Sequence, residues 1–270
     1  MNFVSIVVPF FNASKTIKFT LESISNQVFS QFECILIDDG STDNTISIVS
    51  SFISRDKRFK LFKQSNNGVV SARNLGIKKS KGRFIAFLDA DDIWHPNFLQ
   101  ESLLIRKKSD QPIPITHCSY FRFRKYDKKI IYSLIHPPKI INKKNILKKN
   151  FMPLLTILID REIITNLFFE EIRPEDYKLW INLIYLKNYR SISLGKELAF
   201  YRISENQRSK NKFISLIRIY NIFSKLPNNN LIRNIYYSLR WIFYNSMQRL
   251  TFKRNIKKEQ YHFLNSLFMK

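Results

Sequence analysis

Three groups of carboxylates stand out by where they fall. Asp38-Asp39 closes one short apolar run, Asp89 with Asp91-Asp92 closes another, and Glu175-Asp176 opens a stretch with helical spacing. Carboxylates are hard oxygen donors, and one or two of them beside phosphate oxygens commonly hold Mg²⁺ or Mn²⁺. A carboxylate also accepts from a ribose or sugar hydroxyl, or takes its proton as a general base. Each pair has a plainer reading. Asp38-Asp39-Gly40 has turn composition, Asp89-Ala90-Asp91 suits a solvated turn, and acids are ordinary at a helix N-terminus. The chain's balance weighs against the plain reading. It carries 45 Lys plus Arg against 21 Asp plus Glu, a net charge of +24. So basic a chain gains no solubility from grouping its few acids at strand ends.

The elements that position these groups follow from the spacing of apolar residues. Val4 to Val8 is a β-branched run ended by Pro9, and Thr16 to Gln27 has helical spacing with Ile17, Leu21 and Ile24 on one face. Cys34 to Ile37 is a second strand-like run. Ser41 to Asn44 then offers N-cap side chains to a helix through Ile46, Val49 and Phe52. Phe59 to Lys63 reads as a third strand, Asn66-Asn67-Gly68 as a turn, Val70 to Lys78 as a helix and Phe84 to Leu88 as a fourth strand. This alternation predicts a Rossmann-like α/β domain with a mostly parallel sheet flanked by helices. In such sheets ligands bind outside the carboxyl ends of the strands, where the acids fall. From Ser109 to Asn150 prolines blur the pattern, and Tyr120 to Tyr126 alternates aromatic with basic residues. Leu154 to Ile159 predicts a strand, Tyr177 to Leu186 a helix, Leu198 to Tyr201 a last short strand, and the chain beyond Lys210 a basic helical tail.

The remaining signals mostly exclude. Cys34 and Cys118 lack metal-type spacing and suggest no disulfide framework, which suits a reducing compartment. No apolar run reaches the ~18 residues of a membrane-spanning helix, and the N-terminus lacks a signal-peptide pattern. His95, His117, His136 and His262 form no ligand pair and are expected in surface or turn roles. No Ser-His-Asp order supports hydrolase chemistry. Trp94 and Trp180 follow acidic motifs and suit either sugar stacking or core packing.

Four segments in order then carry a resemblance: Ser5-Ile-Val-Val-Pro-Phe-Phe-Asn12, Ile37-Asp-Asp-Gly-Ser-Thr-Asp43, Asn67-Gly-Val-Val-Ser-Ala-Arg-Asn-Leu-Gly76 and Phe87-Leu-Asp-Ala-Asp-Asp-Ile-Trp94. Together with Glu175-Asp176-Tyr-Lys-Leu-Trp180 and Tyr201-Arg-Ile-Ser204, they resemble the family 2 glycosyltransferases of GT-A fold over about residues 3–209. The resemblance implies inverting transfer of a sugar from a nucleotide-diphosphate sugar to an acceptor hydroxyl, with Mg²⁺ or Mn²⁺ as cofactor. It places Pro9, Phe11 and Asn12 in the first nucleotide-contacting loop, Phe11 standing where Tyr is more usual. Asp38 or Asp39 matches the carboxylate that meets the base, and Arg73 sits where a basic side chain reaches the diphosphate. Asp89 and Asp91 match the metal-and-ribose motif, Asp91 as direct ligand. Asp176 matches the general base, and Arg202 a residue closing over the diphosphate. At the start of a helix, Asp176 is expected in a field that lowers its pKa.

Two units are expected, a GT-A nucleotide-sugar domain at 1–209 and a basic amphipathic tail at 210–270. In the tail Arg218, Arg233, Arg240 and Arg249 interleave with Ile219, Phe223, Trp241 and Phe243. Such a helix suits the headgroup plane of an anionic membrane, or packs its apolar face on the catalytic domain. The membrane reading fits an acceptor on a polyprenyl diphosphate lipid in surface polysaccharide or lipopolysaccharide synthesis, with the protein peripheral on the cytoplasmic face. Nucleic-acid binding is the competing class, prompted by the charge and the aromatic–basic alternation. The acidic strand ends, which repel a polyanion, weigh against it. A sugar-binding relative without catalysis is the third reading.

Overall fold

The computed structural model describes residues 3–126, 129–203, 212–227 and 230–250. Its first third follows the apolar spacing: β1 (Val4–Phe10), α1 (Ile17–Ser25), β2 (Phe32–Asp38), α2 (Thr45–Arg55), β3 (Phe59–Lys63), α3 (Gly68–Lys79) and β4 (Phe84–Phe87). The four strands lie parallel in the order β3-β2-β1-β4. Every residue of β1, β2 and β4 is buried, because helices cover both faces. Successive side chains serve opposite cores: Val7, Ile35 and Phe87 on one face, Ile6, Val8 and Leu36 on the other. At the start of α2, Asp43 rather than Asn44 satisfies the backbone, its Oδ1 accepting from Thr45 N at 3.0 Å.

Pro9 sits in a central strand without breaking the ladder. Pairing of β1 with β4 ends at Val7–Phe87, and Leu88 N donates to Val7 O. In a parallel ladder alternate residues face the same neighbour, so Pro9 faces the side that β4 has just left. It marks where the two strands part and the crevice begins.

The sheet then turns mixed. β4 pairs antiparallel with β9 (Ile157–Asp160), which pairs antiparallel with β6 (Ile115–Tyr126), and β6 runs parallel to β10 (Ser191–Arg202). The edge is β5 (Ile93–Trp94), with β7 (Lys129–Ile135) beside β6 and β8 (Ile140–Ile141) beside β10. Two expectations are corrected. The blurred stretch holds a 12-residue strand, and the last strand is not short but also 12 residues, interrupted by register shifts around Glu197. The alternation in Tyr120–Tyr126 is the two faces of β6. Phe121 and Phe123 are buried with Ile93, Tyr132 and Phe200, so these rings are not displayed for stacking on bases.

Helices α4 (Phe98–Lys107) and α5 (Lys143–Ile146) flank this half, and α6 (Glu175–Trp180) continues as a π-helical turn to Leu186. Trp94 and Trp180 are wholly buried, their indole N–H groups donating to Leu155 O and Met152 O. Both belong to the core. His117 is no surface residue: it is fully buried between Ser191 Oγ (2.7 Å) and Pro138 O (2.9 Å), and burial lowers its pKa to about 4.

The C-terminal chain forms α7 (Lys212–Phe223) and α8 (Leu231–Leu250). Ile219, Ile222, Phe223 and Leu226 are buried in the same cluster as Val7, Phe87 and Tyr177, so this hairpin shares a core with the sheet. Residues 204–211 and 251–270, which include Ser204 and the basic positions Lys253, Arg254, Lys257 and Lys258, lie outside the described residues. Among those described, no helix is long and apolar enough to cross a membrane.

Candidate active site

The carboxyl ends of β1, β2 and β4 open on one edge, and each delivers a different part of the site. Phe11 and Asn12 follow β1. Phe11 is 45% exposed, an unusual position for so large an apolar ring and a suitable one for stacking. Asn12 has a left-handed backbone, φ 47°, which Asn tolerates better than most residues. Its Oδ1 accepts from Thr42 N (2.8 Å) and Asp43 N (3.3 Å), tying the first loop to the one after β2.

The pair Asp38-Asp39 divides its duties. Asp38 is buried, and its Oδ1 accepts from Ser41 N at 2.9 Å, closing a turn that Gly40 makes possible with φ 84°. Asp39 accepts from Gln64 Nε2 (2.8 Å), Asn67 N (2.7 Å) and Gly68 N (2.9 Å). It therefore caps α3 from a different strand, where an anion also suits the helix dipole. Three of about four acceptor sites on that carboxylate are used internally. The plain turn-and-cap role is thus present for both residues.

Helix α3 is seated tightly because Gly76 lies against β1. A Cβ there would come within 2.3 Å of Val7 Cγ1. That seating carries Arg73 under the crevice. Arg73 is 4% exposed, and its Nη2 donates to Asp89 Oδ1 (2.8 Å) while Nη1 donates to Glu175 Oε1 (2.9 Å). Each terminal nitrogen gives one bond to a carboxylate, so Arg73 bridges the β4 end and α6 while lining the cleft. Burial disfavours its charge, but Asp89 and Glu175 outweigh that and raise its pKa further.

Beyond β4, Asp89, Asp91 and Asp92 take three roles. Asp92 is buried and accepts from Arg202 N at 2.9 Å, while its own carbonyl accepts from Thr20 Oγ1, so it holds the turn. Burial, then the charges of Asp91 and Asp89, raise its pKa well above normal. Asp91 is raised to about 6 by burial and then by Asp89, with Arg202 opposing. Arg202 donates Nε to the Asp91 carbonyl and lies over the Phe123 ring, so it is anchored to this turn. Asp89 and Asp91 repel each other, and that repulsion is what a cation between them relieves. Among the described residues no group of three or more His, Cys, Asp or Glu gathers at metal spacing.

Asp176 faces Asp89 across a cleft of about 370 Å³. Its Oδ1 accepts from Tyr177 N (2.7 Å) and its Oδ2 from Asn150 Nδ2 (2.6 Å). The expected lowering of its pKa is corrected. Burial dominates, Glu175 adds to it, and the pair outweighs Arg73 and both hydrogen bonds, raising the value to about 6. The helix field loses to desolvation. The cleft also draws in residues that motif reading passed over: Tyr120, Arg122 and Asn150, with Ser215 of α7 and Trp241, Ile242 and Asn245 of α8. No local pattern points to these, because they come from a strand that reads as blurred and a hairpin that reads as a tail. Phe11, Asn12, Asp38 and Asp39 do not line this cleft; they sit at the neighbouring β1–β2 edge, joined to it through α3.

Carboxylates at the open edge of an α/β sheet share one cleft with a half-buried acid of raised pKa, an arrangement suited to group transfer. The family profile for glycosyl transferase family 2 matches residues 5–151. The chain is 34% identical over 240 residues, 88% of its length and 92% of the relative's, to the Escherichia coli UDP-Glc:alpha-D-GlcNAc-diphosphoundecaprenol beta-1,3-glucosyltransferase WfgD. It belongs to glycosyl transferase family 2. Among solved structures, S. aureus TarS 1–349 in complex with UDP-GlcNAc superposes with a TM-score of 0.66 at 21% identity, over 85% of this chain and 68% of that one. The mannosyltransferase PcManGT of Pyrobaculum calidifontis, solved with GDP-Man and Mn²⁺, gives 0.61 at 16%, over 88% and 69%. These likenesses establish the GT-A fold.

Proposed function

We propose that this family 2 enzyme transfers a sugar, with inversion, from a nucleotide-diphosphate sugar to a hydroxyl of a glycan carried on a polyprenyl diphosphate lipid, in surface polysaccharide or lipopolysaccharide synthesis. The observation that carries it is the placement of Asp176, a half-buried acid of raised pKa that shares one cleft with Asp89. As the acceptor oxygen attacks the anomeric carbon, its proton passes to the Asp176 carboxylate. The bond from the anomeric carbon to the phosphate oxygen breaks, and the nucleotide diphosphate leaves with the electron pair. A pKa near 6 leaves Asp176 mostly ionised at neutral pH while making it a stronger base than an ordinary carboxylate. Both acids of the α6 pair line the cleft, but Arg73 holds Glu175 and Asp89 in ion pairs, which leaves Asp176 as the base. Phe11 offers a stacking face to the base or ribose, and Asp38 or Asp39 a carboxylate to the base.

Asp91 and Asp89 would hold Mg²⁺ or Mn²⁺, and the donor set suits either. When bound, such an ion supplies neutralisation of diphosphate charge. The carrier lipid of the acceptor supports a position at the cytoplasmic membrane surface, with the basic C-terminal segment toward anionic headgroups.

The test is transfer by the purified chain from UDP-glucose, UDP-GlcNAc or GDP-mannose to undecaprenyl-diphosphate GlcNAc, followed by mass spectrometry with Mg²⁺, Mn²⁺ or EDTA. Loss of transfer in EDTA and in Asp91→Ala is expected. Turnover that survives both removes the metal role, and no turnover of any donor overturns the reading.

A further inference from the structure

Helix α8 is amphipathic in the wrong sense for a water-facing helix. Asn234 and Ser238 are buried at 1% and 0%, and with Tyr237, Trp241 and Asn245 they form the inward stripe. Ser238 satisfies its hydroxyl within the helix by donating to Asn234 O at 2.7 Å. Ile232, Ile235, Tyr236, Leu239 and Phe243, at the same 3–4 spacing, face outward with exposures from 44% to 78%. A helix whose apolar stripe faces away from its own core needs a second apolar medium there.

We propose that this outward stripe of α8 inserts into the interfacial layer of an anionic lipid bilayer, laying the helix in the membrane plane beside the catalytic cleft. The proposal deepens the membrane position inferred above and rests on it. Three observations favour lipid over other occupants. Between Glu205 and Glu259 the sequence has twelve Lys or Arg and no Asp or Glu. A second copy of this surface, or the basic residues 251–270 of the same chain, would bring like charge against like. An anionic headgroup layer complements it. Arg240 lies over the rings of Tyr236 and Tyr244, each 5.8 Å from the centroid, with the amphipathic aromatic composition of a membrane interface. Finally, the opposite stripe of the same helix, through Trp241 and Asn245, lines the cleft. One helix therefore has a lipid side and an acceptor side, and an acceptor on a lipid carrier needs both close together.

The experiment is flotation of the full-length chain with phosphatidylglycerol/phosphatidylethanolamine vesicles and with phosphatidylcholine vesicles. The triple variant Ile232→Ser, Leu239→Ser, Phe243→Ser should bind the anionic vesicles ~10²-fold more weakly, from partial burial of three large side chains. Val28→Ser, an equally exposed apolar position outside this helix, should change nothing. Cys34 and Cys118 are buried, so Phe243→Cys can be labelled selectively with an environment-sensitive dye, whose emission should shift to the blue on anionic vesicles. Binding of the wild type should partly survive ~1 M salt, where the Debye length is only ~3 Å, because insertion is apolar. Wild-type flotation by the triple variant, or a dye that stays in water, overturns the proposal. A triple variant that changes the oligomeric state while floating normally makes the stripe a contact between copies, and also overturns it. Donor hydrolysis without lipid, measured on the same variants, reports separately on the catalytic reading.

Discussion

Asp176→Asn should make the protein less active and more stable, and the two effects can be sized from its surroundings. The folded carboxyl titrates at about 6 against an ordinary 3.8. For a carboxyl whose folded pKa is raised, the stabilising form is the protonated one. Its contribution is complete below the unfolded value and is lost as pH rises from about 4 through 6. At ~1.36 kcal/mol per unit this is at most ~3 kcal/mol, and less because part of the side chain meets the solvent-filled cleft. An uncharged amide in place of the carboxylate escapes this penalty. It would still accept from Tyr177 N, but its NH₂ group would then meet Asn150 Nδ2 as donor against donor. Turning Asn150 over costs its bond from Met152 N, worth ~1 kcal/mol. The balance is a gain of about 1–2 kcal/mol at pH 7.5, or roughly 2–8 °C in Tm, fading as pH falls toward 4. Transfer should drop ~10²–10⁴-fold, with donor affinity held within about twofold. Calorimetric melting at pH 4.5 and 7.5, donor titration and transfer rates measure all of this. An Asp176→Asn protein that transfers normally, or that melts lower than wild type at pH 7.5, refutes the assignment of a strained base.

Asn150→Ala removes a hydrogen bond that favours the ionised form of Asp176, so the acid limb of the pH–rate profile should move up by ~0.5–1 unit; an unmoved limb would detach Asn150 from the base. Arg73→Met strands Asp89 and Glu175 without their shared cation and should cost about 2–4 kcal/mol in urea unfolding at pH 7.5. Phe11→Ala should leave stability within ~0.5 kcal/mol, because the ring is already exposed, yet weaken donor binding ~2–10-fold by calorimetry.

The first hundred residues were legible because parallel strands buried on both faces have to be continuous apolar runs, and Val4–Val8, Cys34–Ile37 and Phe84–Leu88 are. The acids at their ends were legible for the same reason. Strand β6 was not, because its alternation of Phe with Arg reads equally as a basic–aromatic patch until β10 and β7 are seen on either side. Strand β10 was hidden by its own irregularity, with Gly195 at φ 66° and the register shifts around Glu197 breaking the period. The pKa of Asp176 was misjudged because helix position is local and burial is not. The cleft's far wall was invisible altogether: Trp241 and Asn245 lie more than sixty residues beyond Asp176, in a segment whose composition speaks only of charge.

Tyr177, next to the proposed base, packs its ring edge-on to Phe223 and tilted against Trp241, at centroid distances of 6.2 and 5.9 Å. The base is therefore wedged between the sheet and the C-terminal hairpin, which limits how the chain can be cut and recombined. Trimming at residue 209 to obtain a minimal catalytic fragment would bare the pocket that receives Ile219, Ile222, Phe223 and Leu226. It would also free α6 to shift, and with it the acid. A chimera meant to exchange acceptor preference with a relative would have to carry α6, α7 and α8 as one cassette, leaving the donor half on β1 to β4 behind.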